Sequence, residues 1–134
     1  MGTLPNPIGQ AAVIAVRADR VCLITSRGRK RWLFPKGCLE PGKTLSEIAL
    51  QEAWEEAGLV GTLDPEPLGS YFYVKYGATH HVTVFVLSVT EIAENWPERT
   101  LRQRSWVGLK KALASIQDEG LRELIRKAVR DNPE

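Results

Sequence analysis

The stretch at residues 37–59 constrains the fold of this chain more than any other part of the sequence. It reads GCLEPGKTLSEIALQEAWEEAGL, a turn containing glycine and proline followed by a helical pattern. Thr44 is a candidate N-cap, and Glu47, three residues later, completes a capping box. Gly58 can adopt the left-handed conformation that ends many helices. The sequence therefore predicts a helix of roughly thirteen residues between Thr44 and Gly58.

This helix has an apolar face and an acidic face. Spacing of i, i+3, i+4 and i+7 predicts a core-facing set: Leu50, Ala53, Trp54 and Ala57. The same rotation gathers three carboxylates on another face: Glu52, Glu55 and Glu56. Like charges at this spacing destabilise a helix by a few tenths of a kcal/mol per pair, and the nearby negative end of the helix dipole adds to the penalty. A divalent cation, Mg²⁺ or Mn²⁺, would offset the repulsion, and an exposed acidic stripe is the alternative.

The stretch resembles the Nudix box of the Nudix hydrolases. In that pattern a glycine, five residues, a glutamate and seven residues precede Arg-Glu-apolar-x-Glu-Glu-x-Gly-apolar. The positions in register are Gly37, Glu52, Ala53, Glu55, Glu56, Gly58 and Leu59. Two positions depart from the pattern, since Lys43 stands where the family has glutamate and Gln51 where it has arginine. The resemblance implies an α/β fold, the Nudix-type α/β/α sandwich with a mixed β-sheet between helices.

The resemblance also implies metal-dependent hydrolysis of a phosphoric anhydride bond. Hydrolysis of a diphosphate moves charge onto the leaving phosphate and deprotonates a water, and bound Mg²⁺ or Mn²⁺ assists both. The expected principal ligands are Glu52 and Glu56, with Glu55 as a further ligand or the general base and help from the backbone carbonyl near Gly37. Spacing does not decide which glutamate takes the proton, and Glu40 in the turn is either a further candidate or a surface carboxylate.

A looser resemblance over residues 21–117 is to the diphosphoinositol polyphosphate phosphohydrolases. It is carried by Arg-x-x-x-Arg-Trp at 27–32, Val-Gly-Thr-Leu at 60–63, LSVTEIAENW at 87–96 and Arg-x-Arg-x-Trp at 102–106. A polyphosphorylated inositol has no base to stack, so arginine and lysine must pair with its phosphates. The substrate-binding candidates are Arg27, Arg31, Lys36, His80, Arg102 and Arg104.

Two alternatives remain open. The Pro-Lys-Gly turn at 35–37 is shared with hydrolases of dinucleoside polyphosphates, which would need aromatic stacking from Tyr71, Tyr73 or Tyr76. The departures at Lys43 and Gln51 also fit a degenerate Nudix module that binds a phosphorylated ligand without cleaving it.

The rest of the chain predicts the sheet and two further helices. Strands are expected at 10–16, 21–25, 32–34, 70–76, 81–90 and 102–107, with 81–90 as the best candidate for a central strand. A short helix is expected to begin within 112–116, and Leu121, Leu124, Ile125 and Ala128 predict a C-terminal amphipathic helix.

Composition limits the remaining choices. A chain of 134 residues suits one domain, with residues 1–8 expected to be a flexible segment. It has no apolar run approaching the 18 or so residues of a membrane span, and its N-terminus lacks the pattern of a signal peptide, so a cytoplasmic location is expected. A formal net charge of +2 without a cationic stripe does not favour nucleic acid as a partner. A small phosphorylated substrate and a monomer or homodimer are expected, and Cys22 and Cys38 are predicted to be free thiols.

Overall fold

A mixed eight-stranded β-sheet organises the part of the chain that the computed structural model describes, residues 6–132. The strands are β1 (Ile8–Arg17), β2 (Arg20–Thr25), β3 (Trp32–Leu33), β4 (Lys36–Cys38), β5 (Leu59–Leu63), β6 (Gly69–Lys75), β7 (Ala78–Ile92) and β8 (Arg104–Val107). The helices are α1 (Leu45–Ala57), α2 (Leu109–Ser115) and α3 (Glu119–Asp131).

The centre of the sheet is the parallel pair β1 and β7. Ile8 lies opposite His80, and the register continues to Val16 opposite Ser88. The strand order is β3-β2-β1-β7-β5, with β4 on β1, β6 on β7 and β8 on β2. All pairings other than β1 with β7 are antiparallel. The predicted mixed sheet and the central position of the 81–90 strand are therefore confirmed.

Helices cover both faces of this sheet. Alternate residues of β1 point to opposite faces, so Val13 packs with α1 in one buried cluster, whereas Ile14 packs with α2 and α3 in the other. Ile125 of α3 and Ile48 of α1 are among the fully buried side chains of the two clusters. The arrangement is the α/β/α sandwich that the sequence predicted.

Local capping chemistry sets the ends of α1 as predicted. Thr44 Oγ1 accepts the Glu47 N–H at 3.1 Å, and a Glu47 carboxylate oxygen accepts the Thr44 N–H at 2.9 Å. Gly58 follows the helix in the left-handed conformation, with φ of 66°. The helix between these caps has 13 residues, in agreement with the expected length.

The predicted core face of α1 is partly wrong. Leu50 and Trp54 are 40% and 39% exposed, although Ala53 and Ala57 are fully buried as expected. The helix contacts the sheet through an i, i+4 row of small residues, whose members are Ala49, Ala53 and Ala57. Because these alanines let the helix approach closely, the larger Leu50 and Trp54 lie at its flank.

Other differences concern short elements. The sequence analysis did not identify β4 or β5 as strands, and β5 carries a register shift between Val60 and Gly61. The last strand begins at Arg104 rather than at 102, and the short helix begins at Leu109 rather than within 112–116. Of the N-terminal segment predicted to be flexible, residues 1–5 lie outside the described range, and Ile8 is the first residue of β1.

Membrane insertion and thiol state can also be compared with expectation. Within residues 6–132 the longest helices have 13 residues, and none is both long and apolar enough to cross a bilayer. Both cysteines are free, with Cys22 buried and Cys38 exposed.

Candidate active site

Strand β4 places Gly37 directly against the side chain of Glu52. A Cβ atom at Gly37 would lie 2.5 Å from Oε1 and 2.6 Å from Cδ of Glu52. Only glycine therefore lets this carboxylate lie over the backbone of β4, which explains the glycine at the start of the box. The predicted help of the Gly37 carbonyl in metal binding stays a prediction.

The environment of Glu52 is unfavourable for a carboxylate without a counter-ion. Burial, and then the negative charges of Glu56 and Glu55, raise the pKa of Glu52 to about 8. A divalent cation would neutralise these crowded charges, so the donor chemistry fits Mg²⁺ or Mn²⁺. Among residues 6–132 no three His, Cys, Asp or Glu side chains converge as a ready-made metal cluster. The assignment of individual ligands therefore stays a prediction.

The carboxylate of Glu56 is fixed by two donors. Oε1 accepts the backbone N–H of Lys36 at 3.1 Å, and Oε2 accepts Nη2 of Arg102 at 3.0 Å. Glu56 is only 7% exposed, and burial raises its pKa although Arg102 and the Lys36 N–H act in the opposite direction. Each carboxylate oxygen keeps a second acceptor position, so the predicted ligand role remains chemically available.

Arg102 was predicted to bind substrate, but the structure gives each of its donor groups a protein partner. Besides Glu56, Nε donates to Glu98 Oε1 at 3.0 Å and Nη1 donates to the Thr25 carbonyl oxygen at 3.0 Å. The residue is 8% exposed. Its evident structural task is to orient Glu56, and a role in substrate binding stays a prediction.

Arg104 lies at the C-terminal end of α1. Its Nη1 donates to the Ala57 carbonyl oxygen at 2.8 Å, and its guanidinium carbon is 4.2 Å from the ring centroid of Trp96. A cation at this position complements the negative end of the helix dipole. Of the arginines predicted to bind substrate, Arg27, Arg31 and Arg102 line one cavity, whereas Arg104 does not.

Beside Glu56 lies a cavity of about 170 Å³ with a cationic lining. Its walls are Ser26, Arg27, Arg31, Leu33, Lys36, Glu56, Lys75 and Arg102. Burial lowers the pKa of Lys36, and the charges of Lys75 and Arg31 act in the same direction, whereas Glu56 opposes them. The sequence analysis missed Lys75, since only the pairing of β6 with β7 brings the end of that hairpin to the cavity.

His80 does not line the cavity beside Glu56, but it contacts Tyr73, which lines a second cavity next to the first. It stacks on Tyr73 with ring centroids 4.5 Å apart, and the Tyr73 hydroxyl donates to Gln10 Oε1 at 2.6 Å. Lys36 Nζ lies 5.6 Å from the Tyr73 centroid. Tyr73, Lys36 and Lys75 all line a cavity of about 330 Å³. Sequence analysis did not identify Gln10, because its role depends on pairing across the sheet.

The two positions that depart from the Nudix pattern contact each other. Lys43 Nζ donates to Gln51 Oε1, and Gln51 Nε2 donates to Glu40 Oε2 at 3.0 Å. Lys43 also lies 3.8 Å from the same Glu40 oxygen. The turn before α1 is thus joined to the helix by a Lys43–Gln51–Glu40 triad, and a further role of Glu40 in the chemistry stays a prediction.

Comparisons with known proteins identify the family of this chain. The family model of the NUDIX domain matches residues 7–128. Nudix hydrolase 4 of Arabidopsis thaliana is 38% identical over 114 residues, which cover 84% of this chain and 55% of that protein. Diphosphoinositol polyphosphate phosphohydrolase 3-alpha of Mus musculus is 36% identical over 104 residues, which cover 75% of this chain and 62% of that protein. The chain thus spans little more than half the length of these relatives.

The fold has its own counterparts among solved structures. A crystal structure of C. elegans Ap4A hydrolase superposes with a TM-score of 0.75 at 19% identity, covering 91% of this chain and 96% of that one. This likeness bears on the fold alone. With the family match over most of the chain and with Gly37, Glu52, Glu55 and Glu56 brought together on α1 and β4, the chain belongs to the Nudix hydrolase family.

Proposed function

We propose that this protein is a metal-dependent hydrolase that cleaves a pyrophosphate linkage in a diphosphoinositol polyphosphate. The observation that carries the proposal is the cationic cavity beside Glu56, where Arg27, Arg31, Lys36 and Lys75 face a carboxylate of the box. Such a lining suits several phosphate groups on one small molecule. The similarity to the mouse diphosphoinositol polyphosphate phosphohydrolase supports the same substrate class.

In this proposal the three glutamates of the box have different roles. Glu52 and Glu56 would hold Mg²⁺ or Mn²⁺ with help from the Gly37 carbonyl, and Glu55 would add a ligand or accept the proton of the attacking water. When bound there, such a cation would supply neutralisation of the developing phosphate charge and a lower pKa of the attacking water. Arg102 keeps the Glu56 carboxylate in one orientation by its 3.0 Å hydrogen bond.

The cations of the cavity bind and orient the substrate phosphates. Arg27 and Arg31 offer planar forks that pair bidentately with phosphate oxygens, whereas Lys36 and Lys75 act as point charges. Arg27 is 69% exposed in its side chain and makes one long ion pair, 3.5 Å to Glu98. Its fork can therefore turn toward a phosphate at little cost.

A dinucleoside polyphosphate is the second candidate, because tyrosines line the adjacent cavity. Stacking of a base needs an open ring face, but Tyr73 is stacked on His80 at 4.5 Å and has Lys36 5.6 Å from its centroid. A base would have to displace one of these contacts. The contacts of Tyr73 therefore count against base stacking on this ring and support a substrate recognised through its phosphates.

A substrate panel tests the proposal. Released phosphate or nucleotide is measured for diphosphoinositol polyphosphates, dinucleoside polyphosphates, ADP-ribose and nucleoside triphosphates with Mg²⁺ or Mn²⁺ present. The highest kcat/KM is expected for a diphosphoinositol polyphosphate, and Arg27→Ala with Arg31→Ala should raise KM most for that substrate. Lys110→Ala, on the exposed side of α2, is the matched loss of a cation elsewhere.

Three results would point elsewhere. Equal losses on ADP-ribose and on a diphosphoinositol polyphosphate would assign the arginines a structural role. A preference for dinucleoside polyphosphates would select the second candidate. Binding without turnover on the whole panel would identify a degenerate Nudix module. A cytoplasmic location and a monomeric or homodimeric state remain part of the proposal, with no nucleic acid partner.

A further inference from the structure

The C-terminal end of α1 is covered by residues 93–104, which we call the strap: the segment that follows β7 together with Arg104, the first residue of β8. The last carbonyl groups of a helix have no partner within the helix. The backbone N–H of Gly58 donates to the carbonyl oxygens of Ala53 and Trp54. Three carbonyls at the end of α1 then still need donors, those of Glu55, Glu56 and Ala57.

The strap supplies a donor to each of them. The backbone N–H of Glu98 donates to the Glu55 carbonyl at 3.0 Å. The indole N–H of Trp96 donates to the Glu56 carbonyl at 3.1 Å, and a guanidinium N–H of Arg104 donates to the Ala57 carbonyl at 2.8 Å. The fit is close, because a Cβ atom at Gly58 would lie 2.9 Å from the Trp96 ring. One continuous segment therefore binds the whole free end of the helix.

The same segment also binds a carboxylate of the box. Arg102 donates to Glu56 Oε2 at 3.0 Å, and Glu98 accepts from Arg102 Nε at 3.0 Å. Glu98 thus contacts α1 through its backbone and Arg102 through its side chain. The strap therefore binds the backbone carbonyls of Glu55 and Glu56 and also the side-chain carboxylate of Glu56.

We infer that the strap is the element that positions the box carboxylates for the divalent cation, with Trp96 and Arg104 as positioning residues that do not contact the cation. This inference rests on the proposed function. Helix ends fray first, and Glu55 and Glu56 lie in the last turn of α1. Loss of the strap donors would let that turn move, and groups that orient ligands are worth roughly tenfold to a hundredfold in metal affinity.

Binding of Mn²⁺ alone, measured by titration calorimetry and by electron paramagnetic resonance of the free ion, tests the inference without turnover. Trp96→Phe removes the indole donor but keeps an aromatic ring, and Arg104→Met removes the guanidinium donor. Each is expected to weaken Mn²⁺ binding roughly tenfold. Arg104→Lys keeps a donor for the Ala57 carbonyl, so it should recover part of the affinity.

Arg99→Met is the matched control, because Arg99 is an exposed strap arginine whose side chain makes no hydrogen bond or ion pair within the described range. It should bind Mn²⁺ like the wild type. If Trp96→Phe or Arg104→Met does not fold, Glu98→Gln replaces it, since this change keeps the backbone donor to Glu55 and weakens the side-chain contacts of Glu98 with Arg102 and Arg27. The same loss of Mn²⁺ affinity is expected.

Unchanged Mn²⁺ affinity in folded strap variants, with only a lower Tm, would overturn the inference and leave the proposed function intact. If the wild type itself does not bind Mn²⁺, both the inference and the proposed function are overturned. In that case Glu52→Gln and the wild type would show the same Mn²⁺ titration. Weaker Mn²⁺ binding in the strap variants, with the control unaffected, would support the inference.

Discussion

Arg102 and Glu56 form an ion pair at 3.0 Å whose side chains are both more than nine-tenths buried. Removal of one partner of a buried pair leaves an uncompensated charge and typically costs about 3–5 kcal/mol. We therefore expect Arg102→Met to lower the free energy of unfolding by about that amount. Urea denaturation of the metal-free protein measures the change.

The control for this prediction is the same substitution at an exposed pair. Arg126 pairs with Glu119 and Glu123 on the outer side of α3, and exposed pairs contribute about 0–1 kcal/mol. Arg126→Met should therefore be nearly neutral. Equal effects of the two substitutions would show that Arg102 and Glu56 are not stabilised by each other.

Gly37→Ala should damage the site without unfolding the protein. The added Cβ would lie 2.5 Å from Glu52 Oε1, so the carboxylate must move from its place over β4. A displacement of about 1 Å at a reacting centre costs about a hundredfold in rate, and we expect kcat/KM to fall by about that factor.

Gly108→Ala is the matched substitution, since a Cβ there meets open space. It should leave kcat/KM unchanged. The reason given for Gly37 would be wrong if Gly37→Ala kept wild-type kcat/KM and Mn²⁺ affinity.

The two thiols should react very differently. Burial raises the pKa of Cys22 to about 12, although the nearby charge of Arg104 opposes the rise, whereas Cys38 is exposed. Iodoacetamide at pH 8 should alkylate Cys38 and spare Cys22 in the folded protein, as read by peptide mass spectrometry. Modification of Cys22 at the rate of Cys38 would contradict its burial.

Cys22 also predicts a pH dependence of stability. The ordinary pKa is 9.0 and the folded value about 12, so the unfolded state loses this proton first as the pH rises. Its contribution to stability is complete below pH 9 and decreases as the pH rises from 9 toward 12. Thermal unfolding from pH 8 to 10.5 should show this decrease, and Cys22→Ala should make it smaller.

The Lys43–Gln51 pair predicts a working but weakened metal site. Lys43 puts a positive charge near the N-terminus of α1, against the helix dipole and in competition with a cation. Lys43→Glu together with Gln51→Arg should tighten Mg²⁺ binding about twofold to fivefold, the scale of an exposed charge interaction. Titration of kcat/KM against Mg²⁺ concentration measures the gain.

The single substitutions serve as the comparison. Gln51→Arg alone places an arginine next to Lys43, which now donates to Gln51, so its Tm should fall. If Lys43→Glu and the double variant both titrate like the wild type, the departures from the family pattern are neutral, or Glu40 already compensates for them.

Local signals in the sequence were sufficient for α1 and insufficient for the site around it. The caps Thr44 and Gly58 act within one turn of the helix, so its 13 residues could be predicted. The exposure of Leu50 and Trp54 could not, because it depends on which row of α1 meets the sheet. Strand β4 was missed for a similar reason, since its three residues are held by pairing with β1.

The arginines show the same limit. Four of them were predicted to bind phosphate: Arg27, Arg31, Arg102 and Arg104. Only the tertiary structure shows that their positions and contacts differ. Arg27 and Arg31 line the cavity, Arg102 is bonded to Glu56, and Arg104 caps the Ala57 carbonyl. A cation's residue type indicates what it can bind, whereas its burial and its partners decide what it does bind.

The parallel pairing of β1 with β7 has a consequence for how the protein acquires its shape. Ile8 meets His80, so the chain must close a loop of about seventy residues, with an entropic cost that grows only slowly with length. The whole of α1 lies inside that loop. Such non-local contacts slow folding to milliseconds or seconds, and a nascent chain cannot complete the central pair until β7 has left the ribosome. The glutamate helix and the strands β1 and β4 are therefore synthesised before β7, and only β7 completes the centre of the sheet.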